Sequence, residues 1–353
     1  MTKPHNGAHA PDSTSQSSLD ILPEARRDAV RTALRAAFGA GTARAWRPIS
    51  GGVSGAAILH FEIGEHPYLL RLEPERIALH NRERGFACMS AAAAVGVAPP
   101  VHYADAADGV AIMDFIANRP LTTHPAGALG LARDLGALLA RVQVAPLFPD
   151  AGNYPQRIGD MLAALDATGH FAPGLLEPHR EGLARIRAAY PWDTAALVSS
   201  HNDPNPRNIL FDGARLWLVD WELAFRNDPL VDAAILTTEI AAAPEAEEVL
   251  LTAAFGRAPD RALRARLAVA RLLTRLFYAC VVLDVFVNAP DSPRGTNLDA
   301  FTQAGFLAAV ADGRLKSGAQ ETAYAFGKMS LGAFLEGVTA PHFGELLETV
   351  RQG

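Results

Sequence analysis

Residues 201–220 carry three polar side chains at a spacing that suits phosphoryl transfer. The segment reads HNDPNPRNILFDGARLWLVD, so Asp203 and Asn208 lie five residues apart on one loop and Asp220 ends the strand-like run that follows. Transfer from ATP needs a carboxylate near the acceptor hydroxyl, and oxygen ligands that hold Mg²⁺ against the phosphates. Asp203 can meet the first need, and the oxygens of Asn208 and Asp220 can meet the second.

With His201, residues Asp203 and Asn208 form an H-x-D-x-x-x-x-N pattern. This pattern also occurs in polar loops whose Asp and Asn side chains only cap turns. Here the pattern is followed by ILF, a turn at Asp212–Gly213 and LWLVD, and this context favours the chemical role. A hydrolase that uses Ser199 or Ser200 with His201 is a further alternative. It finds no support, because the sequence has neither a G-x-S-x-G elbow nor an HExxH pair.

Short strand-like runs separated by turns precede this segment and predict an antiparallel sheet. The predicted strands cover residues 43–49, 56–63, 66–73, 101–105 and 110–116. Apolar spacing predicts a helix over residues 19–38, and an Ala-rich run predicts another over 76–95 that ends at Gly96.

Helical periodicity dominates after residue 118, with amphipathic helices predicted at 131–144 and 175–190 and a nearly all-helical region at 229–350. The apolar stretch 262–288 contains charged residues that would be costly in a bilayer, which predicts a buried helix and no membrane partner. The sequence therefore predicts an α+β, two-lobed chain. Its predicted parts are a disordered tail at 1–18, a nucleotide-binding lobe at 19–117, and a helical lobe for catalysis and acceptor binding at 118–353.

Composition narrows the class of protein. The chain has 353 residues and a net charge of −6, without a block of Lys or Arg, which argues against nucleic acid as a partner. Its two cysteines form no C-x-x-C pair, and its first 18 residues lack the apolar core of a signal peptide. We therefore expect a cytoplasmic protein, and both a monomer and a homodimer remain open.

The segment at 201–234 resembles the aminoglycoside phosphotransferase and choline kinase superfamily, whose members have a protein-kinase-like fold. DWELAFRNDPLVDAA, at 220–234, is especially similar to the bacterial choline kinase-like branch. The resemblance covers about residues 40–290. It implies a small lobe with a five-stranded antiparallel sheet and one helix, a larger and mostly helical lobe, and ATP and Mg²⁺ as cofactors.

Site roles follow from the resemblance for the residues that match the motif. It implies that Asp203 is the catalytic aspartate, that Asn208 and Asp220 bind Mg²⁺, and that His201 is the loop-shaping histidine of the same catalytic motif. Glu222 is expected to approach a second metal or the acceptor, or to serve only the structure. A further acid, Asp232, resembles the buried aspartate that hydrogen-bonds the catalytic loop.

The first lobe must hold ATP if the resemblance is correct. Gly51, Gly52 and Gly55 lie between two predicted strands, where a backbone without Cβ atoms can cover phosphates or simply make a flexible turn. Arg71 on the third strand is expected to reach the phosphates, paired with Glu83, the only acid between residues 76 and 96.

The adenine site is expected at the end of the fifth predicted strand. Backbone groups near Asp114 and Ile116 are the expected partners of adenine, with Met113 lining the pocket, although an ordinary core strand would have the same sequence.

The expected acceptor is a small hydroxylated molecule, with choline or another amino alcohol as the leading candidate. Aromatic faces and acids recognise a quaternary ammonium group, and the residues that could do so, or could equally form core, are Trp221, Phe277, Tyr278, Asp284 and Phe286. An aminoglycoside would need a broad acidic groove, whereas the single acidic cluster, at 245–248, reads as a solvated helix start. Thiamine, homoserine and sugars remain alternative acceptors, and a catalytically silent nucleotide-binding protein is the alternative from another class.

Overall fold

The computed structural model describes residues 19–49, 55–74, 81–190, 192, 196–287, 297–316 and 318–352. The chain divides into two compact units. Residues 1–86 and 99–115 belong to the first, and residues 87–98 and 116–353 to the second. The predicted phosphate-loop residues Gly51 and Gly52 and the predicted tail at 1–18 lie outside the described residues.

The first unit contains a five-stranded antiparallel sheet, as the sequence predicted. Its strands, in the spatial order β1-β2-β3-β5-β4, are β1 (Ala43–Pro48), β2 (Ala57–Ile63), β3 (His66–Leu72), β4 (Val101–Asp105) and β5 (Val110–Asp114). The turn between β2 and β3 contains Gly64 at φ 64°, a left-handed conformation that glycine adopts without steric cost. The predicted fifth strand at 110–116 ends two residues early, at Asp114.

One face of this sheet is covered by helix α1 (Glu24–Phe38). Alternate strand residues point toward that helix and pack against its buried residues Val30 and Ala33. The strand residues of this core are Trp46, Leu59, Phe61, Leu70, Leu72, Val110 and Ile112. The period of two therefore sends the intervening residues, among them Arg71 and Met113, to the opposite face.

The remaining helices are α2 (Arg82–Ala94), α3 (Gly127–Gln143), α4 (Tyr154–Ala167), α5 (Glu177–Ala189), α6 (Leu230–Glu239), α7 (Pro244–Phe255), α8 (Arg261–Val287), α9 (Gln303–Ala311), α10 (Gln320–Thr339) and α11 (Phe343–Gln352). The sequence analysis left α4 out, although Asn153 caps it by accepting a hydrogen bond from the Gln156 N–H group. Among the described residues, no helix combines the length and the apolar character that spanning a membrane requires.

Helix α8 is the centre of the second unit and packs against α4, α6, α10 and α11. Two glycines of α10 allow a close approach of α10 to α8. A Cβ atom on Gly327 would lie 2.6 Å from Leu283 Cγ, and one on Gly337 would lie 2.3 Å from Leu272 Cδ2. These contacts restrain the helix that carries Tyr278.

Four short strands complete the second unit and flank the motif. Strand β6 (Val198–Ser200) pairs with β9 (Phe225–Asn227), and β7 (Ile209–Phe211) pairs with β8 (Leu216–Leu218) as the hairpin predicted around Asp212–Gly213. Strands β6 and β9 are both absent from the sequence prediction. The loop at 201–208 therefore leaves one small sheet and enters the other.

Candidate active site

Asp232, on helix α6, fixes the start of the 201–208 loop. Its Oδ2 atom accepts a hydrogen bond from the His201 N–H group at 2.8 Å, and its Oδ1 atom accepts one from the Asn202 N–H group at 2.7 Å. Burial raises the pKa of Asp232 to about 6, and the two N–H donors oppose that rise by favouring the carboxylate. This residue orients the loop, as the resemblance implied.

Asn202 links the same loop to the segment around strand β9. Its Nδ2 atom donates to the carbonyl oxygens of Leu223 and Phe225 at 3.0 and 3.2 Å, and its Oδ1 atom accepts from Asn227 Nδ2 at 2.7 Å. The residue is fully buried and has φ 63°, a conformation that asparagine tolerates better than most residues. The sequence analysis assigned Asn202 no role, and its position in the motif was the only available signal.

His201 is buried in the neutral form with both ring nitrogens engaged. Nε2 donates to the Val219 carbonyl oxygen at 3.0 Å, and Nδ1 accepts from the Asp203 N–H group at 3.3 Å. Burial lowers the pKa of His201 to about 4, so the ring is uncharged at neutral pH. The imidazole therefore shapes the loop and has no free nitrogen with which to take a proton.

Asp203 has a carboxylate that three side chains hydrogen-bond. Oδ1 accepts from the Tyr278 hydroxyl at 2.5 Å and from Asn205 Nδ2 at 2.8 Å, while Oδ2 accepts from Asn208 Nδ2 at 2.9 Å. Burial raises the pKa of Asp203 to about 6, the bonds from Tyr278 and Asn205 lower it, and the charge of Asp220 raises it. The carboxylate is thus oriented and more basic than an exposed aspartate, which suits a group that accepts a proton.

Asn208 and Asp220 lie at the open end of the β7–β8 hairpin, just outside its paired residues. Asn208 donates from Nδ2 to both the backbone oxygen and Oδ2 of Asp203 at 2.9 Å, so its amide oxygen is directed away from that residue. The Val219 N–H group donates to the Asn208 carbonyl oxygen at 2.9 Å. Asp220 follows Val219 directly, so this backbone bond keeps Asp220 close to Asn208.

Asp220 has φ 69°, a strained conformation for a residue with a side chain, and such strain is concentrated at functional sites. Its charge is close enough to Asp203 to raise the pKa of that group. An amide oxygen and a carboxylate are hard donors of the kind that Mg²⁺ prefers, so these two residues fit the predicted ion. In the described part of the chain, no group of three or more His, Cys, Asp or Glu side chains is arranged to hold a metal by itself.

The two residues after Asp220 differ in their burial. Trp221 is 4% exposed, lies with its ring centroid 4.5 Å from that of His201, and donates from Nε1 to the Leu218 carbonyl oxygen at 3.3 Å. The indole therefore packs behind the 201–208 loop and is a core residue here. Glu222 is partly exposed, and its role at a metal or the acceptor stays a prediction.

A pocket adjoins Asp203 through Tyr278, whose ring forms part of the pocket wall. Helices α6, α8 and α10 supply most of the lining, which comprises Ile235, Thr238, Glu239, Thr274, Arg275, Tyr278, Gln303, Phe326, Met329 and Ser330. The centroids of the Tyr278 and Phe326 rings lie 6.4 Å apart. Phe277 and Phe286, named with Tyr278 as candidates for acceptor binding, are 2% and 8% exposed and belong to the core.

Glu239 places a carboxylate in the wall of this pocket, opposite in charge to Arg275 of the same wall, and sequence reasoning missed it. Its charge contributes to raising the pKa of Tyr278, so the two side chains lie near each other. Glu239 is the last residue of α6, where a carboxylate opposes the helix dipole. That unfavourable placement was the available signal, since a cation would be the usual choice at a helix C-terminus.

Arg71 is buried in the first unit on the sheet face opposite to α1. Its Nε atom donates to Glu73 Oε1 at 2.6 Å, an ion pair that the sequence analysis did not foresee. Glu83 lies in the first turn of α2 and is exposed. The pairing of Arg71 with Glu83 stays a prediction. Met113 is paired with Leu69 on β3. Leu69 and Arg71 are two residues apart and share one face of the sheet, so Met113 lies on that face as well.

The strand end predicted to bind adenine has part of its backbone already engaged. The Asp114 N–H group donates to the Pro100 carbonyl oxygen at 2.9 Å, and the Asp114 carboxylate bonds His102 at 2.7 Å. Ile116 follows in the second unit. Gly55 has φ 73° just before β2, and no atom of the described residues lies within 4 Å of the position of a Cβ there. Binding of nucleotide by these residues stays a prediction.

Comparisons with known proteins agree with the kinase-like α+β fold predicted from the sequence. Residues 45–270 match the model of a family described as phosphotransferase enzymes. A choline/ethanolamine kinase family protein from Mesorhizobium loti is 25% identical, with 93% of this chain and 100% of that chain covered and a TM-score of 0.62.

Two further relatives extend the comparison. The choline kinase LicA from Streptococcus pneumoniae is 12% identical over 87% of this chain and 99% of that one, with a TM-score of 0.54, and so supports the fold alone. The protein LicA of Haemophilus influenzae is 43% identical over 55 residues, which are 16% of this chain. The match spans only about a fifth of that protein, 21% of its length. The predicted fold and family resemblance are confirmed.

Proposed function

Because this chain belongs to the phosphotransferase enzyme family, we propose that it transfers the γ-phosphoryl group of ATP to a hydroxyl group of a small molecule. The observation that carries the proposal is the arrangement around Asp203. Its carboxylate is oriented by three donors, one of them the Asn208 amide, has a raised pKa, and lies within reach of the charge of the backbone-strained Asp220.

In the proposed reaction, one bond to the γ-phosphorus forms and one breaks. The acceptor oxygen forms a bond to the γ-phosphorus while the bond from that phosphorus to the bridging oxygen breaks, and its electron pair leaves with ADP. The proton of the acceptor hydroxyl moves to Asp203 and then to water. Mg²⁺, when bound, neutralises charge on the phosphate oxygens. Asn208 and Asp220 are the residues that would hold it.

An amino alcohol such as choline or ethanolamine is the proposed acceptor. The wall of the pocket that adjoins Tyr278 contains the carboxylate of Glu239 and the rings of Tyr278 and Phe326, groups that can bind an ammonium ion, together with the cation Arg275, which shares the charge of Glu239. A short acceptor could place its cation there and its hydroxyl at Asp203. The name of the Mesorhizobium loti relative supports the same class of acceptor.

Transfer of labelled phosphate from ATP, with and without Mg²⁺, tests the proposal over choline, ethanolamine, homoserine, thiamine, sugars and an aminoglycoside. Asp203→Asn keeps the size of the side chain and removes its charge, so we expect turnover to fall by about 10³-fold or more. Asp160→Asn on the exposed surface of α4 is the control and should leave turnover unchanged.

Equal turnover by Asp203→Asn and the wild type would contradict the role of Asp203. Calorimetric binding of ATP without a phosphorylated product from any acceptor would favour the silent nucleotide-binding alternative. Strong preference for the aminoglycoside would refute the amino alcohol while leaving the reaction class intact.

A further inference from the structure

Tyr278 donates its hydroxyl to the carboxylate that the proposed reaction uses, from a helix far away in sequence. The two residues are 75 positions apart, and the distance from the Tyr278 hydroxyl to Asp203 Oδ1 is 2.5 Å. We propose that Tyr278 is a positioning residue that, with Asn205, occupies Oδ1 of Asp203 and so assigns the acceptor's proton to Oδ2. This inference rests on the proposed function.

The assignment follows from counting the lone pairs of the carboxylate. Each carboxylate oxygen offers about two directions for hydrogen bonds. Oδ1 of Asp203 uses both, one for the Tyr278 hydroxyl and one for Asn205 Nδ2. Within the described part of the chain, Oδ2 accepts a side-chain bond only from Asn208 Nδ2, so one direction remains on that atom. The acceptor hydroxyl therefore has its best position on Oδ2, on the side of Asn208.

The environment of Tyr278 suits a fixed donor. Burial and the nearby charge of Asp203 raise the pKa of the phenol well above its ordinary value, so the hydroxyl keeps its hydrogen over the whole working range of pH. Helix α8 is restrained by the close contacts of Gly327 and Gly337 on α10. A donor on such a helix can hold the carboxylate plane without moving during the reaction.

Tyr278 also forms part of the acceptor pocket wall, so its two possible contributions need to be separated. Tyr278→Phe keeps the ring that an acceptor would contact and removes only the hydroxyl that bonds Asp203. A loss confined to kcat would thus report on the orientation of Asp203, whereas a loss confined to KM would report on contact with the acceptor.

The experiment compares Tyr278→Phe with Tyr190→Phe in steady-state kinetics and thermal unfolding. Tyr190 is a matched control, because its buried hydroxyl also donates to a carboxylate, Asp228 Oδ2 at 2.9 Å, which is not the carboxylate that the proposed reaction uses. We expect Tyr278→Phe to lower kcat by about 10- to 100-fold with KM within about twofold of the wild type. Tyr190→Phe should keep kcat within about twofold of the wild type, although it also loses a buried hydrogen bond.

A second variant tests the shared oxygen. Asn205→Ala removes the other donor to Oδ1 and should also lower kcat. Both donors restrain the same atom, so their effects on kcat should not be independent. In the double variant with Tyr278→Phe, the fold-loss of kcat should differ from the product of the two single fold-losses. A crystal structure of Tyr278→Phe should contain a rotated Asp203 carboxylate.

The outcomes separate this inference from the proposed function. No phosphorylated product from the wild type would refute the function, and the inference with it. An active wild type with an unaffected kcat in Tyr278→Phe would refute the inference alone. An equal loss in Tyr190→Phe would also refute it, since the effect would then reflect general damage to the fold.

Discussion

Asp232→Asn should destabilise the protein strongly. The substitution replaces a carboxylate that accepts hydrogen bonds from two backbone N–H groups. Both oxygens of Asp232 are occupied, by the N–H groups of His201 and Asn202 at 2.8 and 2.7 Å. An asparagine can accept at only one of them, and its NH₂ group must then face the other N–H group. Asp232 is 2% exposed, so water cannot relieve this clash of donors.

The magnitude follows from the groups involved. Loss of a hydrogen bond to a charged acceptor costs about 1.5–3 kcal/mol, and a buried donor left without a partner costs about 1–3 kcal/mol. The free energy of unfolding should therefore fall by about 3–5 kcal/mol, toward the upper end of single substitutions. Since the released N–H groups begin the loop that carries Asp203, kcat should fall as well, even at temperatures where the variant remains folded.

Urea unfolding followed by circular dichroism measures the first effect, and steady-state kinetics below the transition measures the second. Asp166→Asn is the matched control, because Asp166 pairs with Arg180 in a partly exposed ion pair. That control should lose less than about 1 kcal/mol. A loss below about 1 kcal/mol in Asp232→Asn, with unchanged kcat, would refute the reasoning that Asp232 holds the loop.

The remaining predictions concern packing, the acceptor and the metal. Gly136→Ala would bring a methyl group to 2.3 Å from the Leu250 carbonyl oxygen, so unfolding in urea should show a loss of about 2–3 kcal/mol. Gly159→Ala meets its nearest atom at 3.6 Å and should be neutral or stabilising by up to about 1 kcal/mol; a similar loss in both would contradict this. Glu239→Gln should raise KM for a cationic acceptor about 5-fold with KM for ATP unchanged, and equal KM values in the two proteins would remove Glu239 from the site. Asn208→Ala should raise the Mg²⁺ concentration for half-maximal turnover by about 10-fold or more, and an unchanged value would rule out Asn208 as a ligand.

Local features of the site could be predicted because they depend on residues close in sequence. The β7–β8 hairpin needs only alternating apolar residues around Asp212–Gly213, and it brings Asn208 and Asp220 together through one backbone pairing. The buried role of Asp232 was expected from the family resemblance of the segment that contains it. Helix α8 was predicted as a buried helix because its apolar surface is interrupted by charges.

Sequence spacing could not predict which of several chemically suitable residues would meet. Arg71 required an acidic partner, and the strand places Glu73 beside it, because residues two apart on a strand share one face. Trp221 and Tyr278 were both suitable aromatic residues for an acceptor. Trp221 packs against His201, whereas Tyr278 reaches Asp203 and the pocket.

The sequence by itself determined the class of fold, the five-stranded sheet and the loop with Asp203, Asn208 and Asp220. These depend on periodicity and on turns within about twenty residues, which the chain encodes locally. Only the tertiary structure decided that Tyr278 occupies Oδ1 of Asp203 and that Glu239 faces the same pocket. Those contacts depend on how α6, α8 and α10 pack, and small residues such as Gly327, distant in sequence, set that packing through shape.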